Sequence, residues 1–137
     1  MGEIFFPSIS RANRDIRFSK DKSPYKDRMW TVFNYGEGRW QEKCCFYFEI
    51  SPEGWCAGMG FYDAKSEYMA RYRKKMYKKK FAPEGTPEEL KEWYQYRNLA
   101  FSSDYKIDES LFERSLLDEV RKEFEFLKPF FMYFKDI

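Results

Sequence analysis

Between Arg14 and Lys26 the chain reads R-D-I-R-F-S-K-D-K-S-P-Y-K, with cations and anions alternating at short spacing around Phe18 and Tyr25. Arginine forks suit phosphate or carboxylate oxygens, and lysines add movable point charges. The aspartates would hold the cations in place, Asp15 orienting Arg17 and Asp21 orienting Lys22. Such a segment is too polar for an interior and too rich in rings for a linker, which predicts an ordered loop. Arg14, Arg17, Lys20, Lys22 and Lys26 are the candidate anion contacts, with Tyr25 as a ring for stacking. The competing expectation is a salt-bridge network that satisfies itself and only fixes a long loop.

A second constellation lies in Lys43 to Phe61, where two alternating runs flank Ser51-Pro52-Glu53-Gly54 and predict a β-hairpin. Setting Ile50 opposite Trp55 makes one face wholly apolar. It places Tyr47 beside Gly58 and Glu49 beside Cys56 on the other, with Gly60 further along. Tyr47, Glu49, Gly58 and Gly60 would then frame a shallow groove, unless Tyr47 simply covers the glycines or a helix packs on them. Trp30 and Tyr47 are further rings on which a planar ligand would stack.

The absence of histidine removes imidazole bases, Ser-His and Cys-His pairs and His metal ligands. Cys44, Cys45 and Cys56 are odd in number and lack C-x-x-C spacing, so neither a disulfide framework nor a zinc site is expected; they suit a hydrophobic core. No cofactor or metal is expected.

Around these residues the chain must supply a scaffold, and 137 residues suffice for one domain, 1–137, with one core. Aromatic residues make up 22% and charged residues 35%, so a ring-rich interior under a charged surface is expected and disorder is not. No apolar run is long enough to span a bilayer and the start lacks signal-peptide features, giving a cytosolic protein as the expectation. Strands are predicted at Ile4–Ile9, Met29–Phe33 and Leu99–Ser102 besides the hairpin. Helices are predicted at Lys65–Lys80, with Tyr68, Met69, Tyr72 and Met76 on one stripe, and from a Thr86-Pro87-Glu88-Glu89 cap to Arg97. A last helix starts near Asp108 and is interrupted by Pro129, with Phe130–Phe134 docking on the core. The class is α+β: a small antiparallel sheet with a central hairpin, covered by about three helices in the C-terminal half.

The charges are polarised. Arg11–Arg28 carries seven cations against three anions, Arg71–Lys80 seven cations and no anion, and Asp104–Glu125 eight acids against four bases. That pattern suits a polyanion surface, with Arg73, Lys74, Lys78 and Lys80 extending the track, or else a pairing of the basic and acidic segments with each other.

The Arg14–Lys26 block resembles the signature of a bacterial and fungal family, number twenty-four sixty-one in the domain-of-unknown-function series. The strands Phe46–Ile50 and Ala57–Tyr62, Arg73 in the following helix, and a closing Phe126–Phe130 segment are similar to it too. The resemblance implies that the block and Arg73 belong to the site. It also implies additional helices ahead of the block, where here Met1 precedes it by about a dozen residues, and hence sheet surface left for a partner. The family has no established activity.

Three functions compete. The first is a non-catalytic anion-binding domain, taking a nucleic acid or a phosphorylated small molecule such as a nucleotide. The second is a protein-interaction module, such as an inhibitor or adaptor acting on a nucleic-acid-binding enzyme. The third is an enzyme using Asp15, Asp21 or Glu49 as acid or base, with lysine or arginine stabilising charge; catalysis is the least favoured, and no catalytic residue is assigned.

Overall fold

The computed structural model describes residues 5–77, 88 and 99–135. Its strands are β1 (Phe5–Ile9), β2 (Met29–Tyr35), β3 (Cys44–Ser51), β4 (Gly54–Phe61) and β5 (Ala100–Tyr105). They form one antiparallel sheet in the order β1-β2-β3-β4-β5. Helix α1 spans Ser66–Tyr77 and α2 spans Leu116–Phe134. The class is α+β, with two α-helices among the described residues where about three were expected. The helix expected from Thr86 to Arg97, apart from Glu88, which is helical, the end of the one predicted to Lys80, and the side chain of Met76 lie outside the described residues.

β3 and β4 pair with Ile50 opposite Trp55, Phe48 opposite Ala57, Phe46 opposite Met59 and Cys44 opposite Phe61. Alternation places Cys44, Phe46, Met59 and Phe61 on the inner face. There Met69 and Tyr72 of α1 and Leu127, Phe131 and Phe134 of α2 complete the core. Ring contacts knit the layers: Phe46 stacks on Phe131 at 4.7 Å and Phe33 meets Phe124 edge-on at 5.6 Å. Pro7 is accommodated because β1 is an outer strand among the described residues, where a missing amide need not break an inner ladder.

The last helix differs from its expected form. Residues Glu109–Phe112 make a separate 3-10 turn, with Asp108 accepting from the Ser110 amide, and α2 then runs through Pro129 without interruption. Pro129 is exposed, and so is Glu125 one turn earlier, whose carbonyl loses its amide partner and can be hydrated. Meanwhile Leu127, Phe131 and Phe134 keep one continuous buried stripe. Burial on both sides of the proline therefore outweighs the lost hydrogen bond. Phe130–Phe134 docks as helix, not as a tail. No helix among the described residues is long and apolar enough to cross a membrane.

Candidate functional site

The sheet's outer face carries a groove that is the candidate site. Trp30 and Val32 of β2, Cys45, Tyr47 and Glu49 of β3, and Gly60 of β4 line a groove of about 290 Å³ whose remaining walls include Trp40 and Tyr62. Trp40 reaches this face because the β2–β3 connection is tightly bound. Gly36 and Gly38 take positive φ (67° and 100°), a backbone that glycine adopts without strain. Lys43 Nζ donates to the carbonyls of Tyr35 and Glu37, and a 3-10 turn, Trp40–Glu42, follows. The indole then packs between Trp30, at 5.0 Å, and Tyr62, at 5.4 Å.

The charged block leaves β1 beside Trp30. Ser10 is buried, its amide donates to the Trp30 carbonyl at 2.9 Å, and its hydroxyl accepts from the Trp30 amide at 3.1 Å. The chain then folds back on itself: Asn13 and Tyr25 form a bridge, Arg14 N–H donates to the Pro24 carbonyl and Lys26 N–H to that of Ala12, both at 2.9 Å. These bonds, not buried rings, order the loop, since Phe18 is 95% exposed and Tyr25 65%.

Two ion pairs run through it. Asp15 accepts two bonds from the Arg17 fork, at 3.0 and 2.7 Å, as expected. Asp21 pairs with Arg14 at 2.8 Å, where Lys22 was the expected partner; Lys22 instead donates to the Ile16 carbonyl at 2.6 Å. The fold-back explains the exchange, because it brings Arg14 across from Asp21.

Arg17 holds the Asp15 carboxyl below its ordinary range by side-chain and then backbone hydrogen bonds. Asp21 is lowered mainly by the Ser23 amide and hydroxyl, with Arg14 adding to it. Depressed carboxyls contribute stability above their unfolded values and lose it as pH falls through the folded values. A melting temperature that drops below about pH 4 is therefore expected, with a smaller drop in Asp21→Asn. An identical acid profile in parent and variant would remove Asp21 from that effect.

Arg11, Arg14, Arg17 and Lys26 line one cleft of about 860 Å³, with Asp15 as the only carboxylate lining it among the described residues. Trp30, Trp40 and Tyr62 also line it, so cleft and groove share a three-ring wall. Arg11 and Lys26 have no carboxylate partner among the described residues. The Arg14 Nε is buried there without a hydrogen-bond partner. Lys20, Lys22 and Tyr25 lie in the loop but do not line the cleft, and Arg73 stands apart on α1, where it has an interaction of its own.

Of the groove residues, Tyr47, Glu49 and Gly60 line the cavity. Gly58 does not lie bare: an added Cβ would come within 2.9 Å of the Tyr47 ring and of Ser102. Arg11, Trp40 and Tyr62 went unassigned in the sequence. Their signals were the charge run starting at Arg11, the glycine turn before Trp40, and Tyr62 two residues beyond Gly60 on the same face.

The thiols are packed, not activated. Burial raises Cys44 strongly and pushes Cys45 up to about 11. The acids of α2 pair partly within it, Asp118 with Arg121 and Glu125 with Lys128, while Glu123 accepts from Ser103 and Tyr105. Among the described residues no group of three or more His, Cys, Asp and Glu is placed to hold a metal ion.

A family model described as conserved hypothetical protein (DUF2461) matches residues 6–84, more than half of the chain. That stretch holds the charged block, β2 to β4 and α1, but stops short of the Phe126–Phe130 segment. No curated protein and no solved structure matches.

Proposed function

The chain belongs to the DUF2461 family, and from that footing we propose that it is a non-catalytic anion-binding domain whose cleft takes a phosphate-class group. One observation carries this reading: among the described residues, four cations converge on a single cleft with one carboxylate beside them. Arg14 and Arg17 are held by Asp21 and Asp15, so their forks are oriented before a ligand arrives. Arg11 and Lys26 supply the excess positive charge, and the three-ring wall gives a bound group an apolar side.

Binding of inorganic phosphate and of a short single-stranded oligonucleotide, measured over a salt series, tests it. The parent is expected to bind both at low salt, and Arg14→Ala/Arg17→Ala to weaken both by about tenfold or more. With two phosphate contacts gone, the oligonucleotide's salt slope should also flatten by about 1.4. No binding by the parent at low salt sinks the reading; binding untouched by the double substitution moves the site elsewhere.

A protein-interaction module is the second reading. It is favoured by the exposed rings of Phe126 and Phe130, 69% and 45% accessible, one turn apart on α2.

A further inference from the structure

Resting on the anion-binding reading, we infer that cleft and groove form one site for a guanine nucleotide, the phosphate lying among Arg11, Arg14, Arg17 and Lys26 and the base entering the groove towards Glu49. The two cavities adjoin, since Trp30, Trp40 and Tyr62 line both. Their spacing suits the ligand. Glu49 sits opposite Trp30 on the neighbouring strand, and Trp30 is bonded in turn to Ser10, where the cationic loop begins. Two strand spacings, roughly 10 Å, therefore separate the backbones of Glu49 and Ser10. That is about the span from the base edge to the phosphate of a mononucleotide.

The groove's shape favours a flat ring. Gly60 and Ala100 line it with nothing larger than a methyl group, while Trp30, Trp40 and Tyr47 offer ring surfaces. Tyr62, 73% exposed, packs on Trp40 and adds a further ring to the groove's wall. The polar end then selects the base. Arg28 approaches Glu49 Oε1 only at 3.5 Å, long for a charge-assisted hydrogen bond, so the carboxylate keeps free acceptor sites. Guanine presents two adjacent N–H donors on its pairing edge, which a carboxylate accepts together. Adenine sets a ring acceptor beside its amino group and would turn a lone pair towards the carboxylate.

Calorimetry and quenching of the tryptophan fluorescence would follow binding of GMP, AMP, ribose 5-phosphate and a single-stranded tetranucleotide with one guanine. GMP is expected to bind about tenfold or more tightly than AMP. In Glu49→Gln, which keeps the side chain's size, that preference should fall to within about threefold with ribose 5-phosphate unaffected. Strong binding of GMP with weak binding of the tetranucleotide assigns a free nucleotide, and the two binding alike assigns a guanine within a strand. Equal affinity for GMP and AMP in the parent, with ribose 5-phosphate still bound, overturns the guanine inference and leaves the anion site standing. If none of the four binds, both fall.

Discussion

Replacing Phe131 by alanine is expected to lower the unfolding free energy by about 3–5 kcal/mol. The ring is 1% exposed and lies where the two layers meet. Phe46 stacks on it at 4.7 Å, Phe5 lies 5.5 Å away and Tyr35 stands edge-on at 6.4 Å, so β1, β2 and β3 all lose a partner at once. The exposed Pro129 two residues earlier stiffens the backbone there, which limits how far α2 can shift to fill the hole. Denaturant titration measures the loss. Phe131→Leu should keep much of the packing, and a cost under about 1 kcal/mol for alanine would mean that α2 is not docked through this ring.

Gly58→Ala should cost about 2–3 kcal/mol although it adds a single methyl group. The new Cβ would fall 2.3 Å from the Phe101 carbonyl oxygen and 2.9 Å from both Ser102 Cβ and the Tyr47 ring. The ring can swing away, but the carbonyl belongs to the strand paired with β4, so relief requires β5 to move. Hydrogen exchange distinguishes this from a general loosening. Amides of Ala100–Tyr105 should exchange faster while those shared by β2 and β3 keep their protection. A neutral substitution would show that β4 and β5 do not approach closely at this point.

What the sequence disclosed depended on how local the governing interactions are. The β3–β4 pairing was legible because alternation and a two-residue turn specify a register over neighbouring residues. The Asp15–Arg17 pair was legible for the same reason, being two residues apart. Arg14–Asp21 was not, because it depends on the bridge between Asn13 and Tyr25, for which no periodicity gives a sign. Nor was the wall that cleft and groove share. It requires β2 to lie between β1 and β3 and the Trp40 turn to fold over the outer face, and both are long-range packing outcomes. Pro129 misled for a related reason: a local rule against proline gave way to tertiary burial on either side of it.

Pro7 has a bearing on how copies of this protein meet. An edge strand offers unpaired amides and carbonyls to any extended chain that comes alongside, and a second molecule could continue the sheet there. In β1, five residues long and the outer strand among the described residues, the central residue has no amide to offer. A strand added along that side would meet a broken ladder at its midpoint. The missing Pro7 amide thus acts as a guard against edge-to-edge association, on the strand from which the charged loop departs.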